Sequence, residues 1–529
     1  MVIGIDLGTT FCCVAYIDEN TEKPEIVKNS RGNITTPSVV CFNGEKAYVG
    51  ESANEFKLKF GESSGFKIFE FVKRDIGKPI EIPPDLYRPD AILPVPAPYE
   101  VAGFKYGAHG ISAIILRKLK KDTISYLKKR GKLTKSINEK DIELPAVITV
   151  PAYYGEKERQ EVKIAGYAAG LNVIGIVNEP TAAALAYGFS QSEPKRIMVF
   201  DLGGGTLDIT ILEMSGQDEA KVIASEGINQ LGGMDWDKII AEYIFEQFEK
   251  KFHTPVPTEY GYKIQEYAIK AKFELSEKKS TTITISIDDM EMDLTLYRER
   301  PEGESIYTID DDKFYFEERS TSLLSQCKAT AEKVLEKSKL SWKDIDEIIL
   351  AGGACRKPMI PKLLERISGK RMGEELKVFN PDTAIATGAA IYGFHKGRKK
   401  ITDVLAHSIG VKYQTEDNRY FIEHLLFKNQ PLPASAEKKF KAGPNAIVEI
   451  YEGESKRPDE CSYRGRINLD NLEEGYVNVK MSIDGEGILK VIAEYQGGRK
   501  ELEIYNELYQ FDERAKILRE KIQSIQIME

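Results

Sequence analysis

Ile3-Gly4-Ile5-Asp6-Leu7-Gly8-Thr9-Thr10, followed by the alternating run 11–17, decides the fold because the chain repeats it. The second copy is Met198-Val199-Phe200-Asp201-Leu202-Gly203-Gly204-Gly205-Thr206, followed by the alternating run 207–212. Each unit is an apolar strand, an aspartate at its end, a glycine turn, a threonine and a returning strand. Glycine lets backbone N–H groups approach phosphate oxygens without a Cβ in the way, and a threonine hydroxyl adds a hydrogen bond. Asp6 and Asp201 are hard oxygen donors, suited to a hydrated Mg2+ held against those phosphates. One such hairpin is an ordinary tight turn; two with the same order of residues predict a phosphate-binding device built by duplication.

A third glycine site follows the apolar run Ile348-Ile349-Leu350-Ala351: Gly352-Gly353-Ala354, then Cys355-Arg356-Lys357-Pro358. A backbone this open can receive a flat base with Arg356 stacked over it, although a tight strand–helix turn explains it equally. Two runs of small residues, 180–188 and 383–393, predict helices that approach closely. Close helix contact suits two lobes hinging over a ligand, with simple core packing as the plain alternative.

The wider composition agrees. A chain of 529 residues exceeds one core, and 42% hydrophobic with 30% charged residues is a globular balance. The net charge of −9 argues against a nucleic-acid partner. No run of apolar residues is long enough to span a bilayer, so no membrane association is expected. The six cysteines are sparse and form no CxxC pair, which predicts reduced thiols and a cytoplasmic location. The five histidines (109, 253, 395, 407, 424) lack metal spacing. There is no P-loop and no G-x-G-x-x-G after a strand, and Gly61-Glu62-Ser63-Ser64-Gly65 fits a nucleophile elbow only in a Lys-rich setting.

Seven prolines in 79–98 predict a surface loop, and the basic run 396–400 marks a boundary. Up to 395 the chain reads as α/β. Beyond about 405, alternation in 448–450, 476–481 and 488–491, punctuated by glycines, predicts a small antiparallel β domain. The expected division is 1–395, a linker 396–405, a β domain 406–506, and a helix 507–529. In that helix Leu508, Phe511, Ala515, Leu518, Ile522 and Ile525 form one stripe. The stripe is expected to pack on the β domain, with a self-associating coiled coil as the alternative.

These motifs resemble the heat-shock protein 70 chaperone family. The resemblance rests on Gly4-Ile5-Asp6-Leu7-Gly8-Thr9-Thr10, Val150-Pro151-Ala152-Tyr153, Asn178-Glu179-Pro180-Thr181, Asp201-Leu202-Gly203-Gly204-Gly205-Thr206, Leu231-Gly232-Gly233, Gly352-Gly353 and Asn380-Pro381-Asp382. It continues through Tyr451-Glu452-Gly453-Glu454 and 483–489, and covers about 1–505. It implies a two-lobed actin-like ATPase followed by a β-sandwich that binds extended apolar polypeptide, with ATP or ADP and Mg2+ bound and K+ left open. It assigns Lys73, Glu179, Asp201 and Thr206 to catalysis, and Asp6, Asp201 and Asp208 to the metal and its waters. Gly8, Thr9, Thr10, Phe11, the 203–206 turn, Gly232 and Gly233 fall to the nucleotide's phosphate side. Lys272, Phe273, Ser276, Gly352, Gly353, Arg356 and Asp382 fall to its adenosine side. J-domain proteins and nucleotide exchange factors are the implied partners.

The chain departs from the family pattern in several places. Ile269 replaces a ribose-binding glutamate, Phe273 an adenine-stacking arginine, and Ala354 a serine; Gly175 stands where an arginine meets J-domain partners. Lys399-Lys400-Ile401-Thr402 replaces an apolar linker, so weak docking of the linker is expected. The arch between Phe440 and Gly453 is shorter than usual, with Ala446 in place of a valine, and the family's helical lid is not expected beyond the single helix. An ATP-hydrolysing chaperone is the favoured reading. A nucleotide-binding scaffold with a dedicated partner is the alternative, and a metabolite kinase a weaker third.

Overall fold

Both copies of the repeat fold as the same hairpin, and each hairpin organises one lobe. The computed structural model describes residues 1–60, 65–78, 99–138, 142–188, 193–215, 219–300, 313–396, 400–415, 418–444, 446–469, 475–496, 498–501 and 511–528. The proline-rich 79–98 segment, the 61–64 part of the elbow-like motif, and Lys399 and Leu508 lie outside the described residues.

In lobe I, β1 (Ile3–Asp6) pairs antiparallel with β2 (Phe11–Asp18). Next come β3 (Val39–Asn43), β4 (Lys46–Val49), α1 (Ala108–Lys129), β5 (Pro145–Val150), α2 (Glu156–Ala168), β6 (Asn172–Asn178) and α3 (Glu179–Gly188). The main sheet runs β6-β5-β1-β2, with β5 parallel to β1. Lobe II repeats the plan with β7 (Lys195–Leu202), β8 (Leu207–Ser215), β9 (Glu219–Ile228), α4 (Gly233–Phe252), α5 (Gly261–Glu277) and β10 (Glu347–Ala351). There β7 pairs antiparallel with β8 and parallel with β10. The duplication in sequence is therefore a duplication in topology.

The helix α6 (Ala384–Phe394) joins the lobes, and the run of small residues explains how. A Cβ on Gly4 of β1 would lie 2.1 Å from Ala390 N, and one on Gly388 would lie 1.7 Å from Ala182 O of α3. No side chain fits at either crossing, so α6 packs backbone to backbone against lobe I while Ile385 and Ala389 share a core with Val199 and Ile349 of lobe II.

Weak linker docking was the expectation; the structure shows otherwise. β11 (Lys400–Thr402) adds to the edge of lobe II's sheet in parallel with β9, Ile401 opposite Ala220. Backbone pairing needs no apolar side chain, which is why the Lys and Thr substitutions do not prevent it. Asp403 then accepts hydrogen bonds from Asn178 Nδ2 (2.8 Å) and Thr181 Oγ1 (3.3 Å), and Val404 is buried between the lobes.

The β domain contains β12 (Ile409–Gln414), β13 (Tyr420–Leu426), β14 (Ala434–Ala442), β15 (Ile447–Glu452), β16 (Ser462–Asn468), β17 (Gly475–Ile483), β18 (Leu489–Tyr495) and β19 (Gly498–Glu501). They form two four-stranded sheets, β13-β12-β15-β16 and β14-β17-β18-β19, around one apolar core. The domain rests on both lobes. Glu486 takes Lys163 (2.7 Å) and Lys396 (2.9 Å), His407 Nε2 meets Tyr153 O (2.9 Å), and Lys428 meets the buried Glu226 of β9 (3.2 Å). A side chain at Gly175 would press on Tyr392 and Lys396, so this interface occupies the space an arginine there would need.

The C-terminal helix packs elsewhere than its stripe suggested. α7 (Phe511–Ser524) lies on α1 and α2 of lobe I, and β20 (Gln526–Met528) pairs in parallel with β4. An amphipathic stripe states that a helix is covered, not by what. Among the described residues no helix is long and apolar enough to cross a membrane.

Candidate functional site

The two glycine turns meet across the cleft. A Cβ on Gly204 would lie 2.4 Å from Thr10 Oγ1, and one on Gly205 would lie 2.6 Å from Thr9 Cγ2. Gly8 is equally constrained, because its Cβ would fall 1.9 Å from Phe11 O within its own turn. The segment Leu231-Gly232-Gly233 docks beneath the second turn. Gly233 N donates to Gly203 O and Met234 N to Gly204 O, both at 2.9 Å. Thr9 and Thr206 are buried, whereas Phe11 is half exposed at the mouth.

Below the turns, Asp6 ends β1, Asp201 lies on β7, Asp208 faces it from β8, and Glu179 begins α3. Lys73, on the 3-10 turn Val72–Asp75, forms a buried ion pair with Glu179. Burial disfavours the Lys73 ammonium, but Glu179 and Asp6 outweigh that and raise its pKa. The acids show the opposite strain. Burial, then Glu179, pushes Asp6 up to about 7 and Asp208 up to about 8, and the same causes hold Asp201 well above the usual carboxylate range. Four largely buried carboxylates thus share the site with one ammonium. Asp208 Oδ1 accepts from Ala152 N (3.1 Å), while its Oδ2 is buried with no hydrogen-bond partner.

The adenosine-side residues are partly assembled. A Cβ on Gly233 would lie 3.5 Å from Lys272 Nζ and 3.6 Å from Ala354 Cβ, so these three share one wall. Lys272 pairs with Asp237 (2.6 Å), and Phe273 is exposed beside it, its ring 5.4 Å from Lys272 Nζ. Gly352, at φ +76, comes so close to Leu202 O and Asp201 that only glycine fits. Two residues of this set have partners within the protein. Ser276 Oγ donates to Lys272 O of its own helix, and Arg356 forks onto Asp382 (2.7 and 2.5 Å) beside Gly353.

Sequence reasoning missed Arg74, next to the assigned Lys73. It reaches from lobe I to Gly205 O (2.9 and 2.5 Å) and Asp235 (2.8 Å), clamping the second turn. Asp235 in turn accepts from Gly232 N at 2.7 Å. Tyr154, whose hydroxyl donates to Lys73 O at 2.7 Å, was also missed. A basic pair in Val72-Lys73-Arg74-Asp75 was the available signal for Arg74; Tyr154 carried none.

Comparison with known proteins agrees with this geometry. A family model described as Hsp70 protein matches residues 2–523. Chaperone protein DnaK of Prochlorococcus marinus (strain MIT 9515) is 32% identical over 523 residues, spanning 95% of this chain and 77% of that protein. With paired glycine hairpins over a buried acidic site, and a β-sandwich beyond them, the chain belongs to the Hsp70 family and is an ATP-dependent chaperone that hydrolyses ATP.

Proposed function

We propose that the nucleotide's phosphates lie against the 8–11 and 203–206 turns, with Lys73 and Glu179 at the reacting phosphate and adenosine between the 232–233, 272–276 and 352–356 segments. The observation that carries this reading is the meeting of the two glycine turns directly above the Lys73–Glu179 pair. Phosphoryl transfer needs positioning and charge neutralisation more than covalent help, and these groups supply both. The acid cluster fits a divalent cation: carboxylates whose pKa values burial and their acidic neighbours raise, and the unpartnered Asp208 Oδ2, are what a hard ion relieves. Among the described residues no three such side chains converge to chelate directly, so Asp6, Asp201 and Asp208 would hold Mg2+ through its water shell. When bound, that ion neutralises charge developing on the phosphates; Lys73 does the same from the protein side.

The functional units are 1–395 for ATP and 406–506 for polypeptide. The β domain takes extended apolar segments, and its brevity around Ala446 makes that binding weak and transient. The expected result is ATP-sensitive suppression of a model protein's aggregation. Suppression indifferent to ATP would favour a scaffold with a dedicated partner instead. J-domain and exchange-factor partners are proposed on the family resemblance, with contact at Gly175 altered as described.

Adenosine recognition is expected to be unselective. With Ile269 where a glutamate binds ribose and Phe273 exposed, binding rests on stacking, and every base offers a π-face. Titration should show ATP favoured over GTP by less than about a thousandfold, a gap that only hydrogen-bonded readout of the base would exceed. A larger ratio removes this account of the pocket.

A further inference from the structure

Behind the wall shared by Gly233, Lys272 and Ala354 lies a buried lysine outside the phosphate and adenosine sets. Lys357 follows the 3-10 turn Gly353–Arg356 and is 2% exposed. Its Nζ stands 4.5 Å from the centroid of the fully buried Trp236 ring and donates to Ala354 O at 3.2 Å. The acid that attracts it, Asp237 of α4, is already committed to Lys272 of α5, whose Nζ lies 2.6 Å from Oδ1 and 2.8 Å from Oδ2. A π-face and one carbonyl replace poorly the water that an ammonium loses. Burial first, then repulsion from Lys272, pushes the Lys357 pKa down to about 7 against the pull of Asp237.

Two other titratable groups face Lys357: Cys355 of its own turn and Cys327 of the helix Thr321–Ser338. Burial raises both thiols, Cys327 up to about 12, so both stay neutral near pH 7. Burial also raises the Asp237 pKa, opposed by Lys272 and then by Lys357. Two amines thus compete for one buried carboxylate, and Lys272 is the one on the pocket wall. A nucleotide oxygen that accepts from Lys272 loosens its hold on Asp237, and the charge so released favours an ammonium at Lys357. Conversely, a protonated Lys357 shares Asp237 and leaves Lys272 more available to the nucleotide. The two statements describe one coupling, which is reciprocal by linkage.

On the adenosine placement proposed above, we infer that Lys357 is a positioning residue of the nucleotide pocket, acting through Asp237 on Lys272, and that nucleotide binding draws a proton onto it. Nucleotide then raises the Lys357 pKa above about 7. Binding is strongest below that pH and weakens as pH rises through the raised value, by at most about tenfold per pH unit for one proton.

Calorimetric titration of the full-length chain with ADP and Mg2+ tests this between about pH 6 and about pH 9, in buffers of different ionisation enthalpy that count the protons taken up. Lys357→Met removes the charge at similar length and is expected to melt no lower, because it spares the burial of an amine. Lys357→Leu guards against misfit of one shape. The phosphates and the acid cluster titrate in every variant, so the readout is the difference from the unaltered chain. Over that range the unaltered chain should lose at least about fivefold more affinity than Lys357→Met. Near pH 8 it should also take up about half a proton more. Equal pH profiles and equal proton counts overturn the proposal. So does a loss of affinity by the same factor at every pH, which is what a merely structural role would give. Lys272→Met separates this failure from failure of the pocket, since it should weaken ADP binding at every pH. If it does not, adenosine lies elsewhere and the role of Lys357 falls with it.

Discussion

Lys73→Ala is expected to lower ATP turnover by roughly a hundredfold or more, the usual scale for removing a charge that stabilises a reacting phosphate. Glu179→Gln should lose a comparable factor. The structure adds a second effect. Lys73 and Glu179 are buried together among Asp6, Asp201 and Asp208, so removing the ammonium leaves an excess of buried negative charge. Breaking a buried pair from one side costs about 3–5 kcal/mol, whereas removing both partners costs far less. The double variant Lys73→Met with Glu179→Gln should therefore recover most of the thermal midpoint lost by Lys73→Ala while remaining inactive. Single-turnover ATPase rates and calorimetry separate the two effects. Turnover unchanged in both single variants would remove the catalytic assignment.

The second large effect is mechanical and far from the phosphates. Gly388→Ala places a methyl 1.7 Å from Ala182 O, between two helices whose contact is backbone on backbone. No flexible side chain is available to yield, so α3 and α6 must separate, and α6 is also fixed against β1 at Gly4. Overpacking costs about 3 kcal/mol at the upper end of its ordinary range. At about 2.1 cal/mol/K of unfolding entropy per residue, for a unit the size of 1–395 that corresponds to about 4 °C in the ATPase melting midpoint. Displaced lobes should also weaken ATP binding, which titration would detect. Gly261→Ala, with open space around its Cβ, serves as the control and should melt like the unaltered chain. Equal melting of the two variants would show that the helices have slack.

The hairpins, the small-residue helices and the β domain were legible because each is dictated locally. A turn that touches another backbone requires glycine, and a helix crossing at van der Waals distance requires alanine or glycine. The chain writes both requirements into consecutive residues. Asp235 and Tyr154 were not legible, and Arg74 showed only as half of a basic pair, because one charged or phenolic side chain looks the same whether it faces water or another lobe. The linker failed for a different reason: Lys400–Thr402 pairs through its backbone, which side-chain identity does not encode. The stripe of α7 foretold burial but not the surface that supplies it, and the partners of Ser276 and Arg356, Lys272 O and Asp382, are ones that only the folded arrangement brings within reach.

The pairing of β20 with β4 has a consequence for synthesis. Residues 46–48 of the first lobe acquire their last neighbour only when residues 526–528 have been made, almost the whole chain later. At roughly 5–20 residues per second, that leaves an unpaired strand edge exposed on the nascent chain for on the order of half a minute or more. Such an edge is a template for adding a strand from any neighbouring polypeptide. While it is being translated, the N-terminal lobe of this chaperone carries an open strand edge of the kind that invites aggregation, and that edge is covered only once residues 526–528 are available to pair.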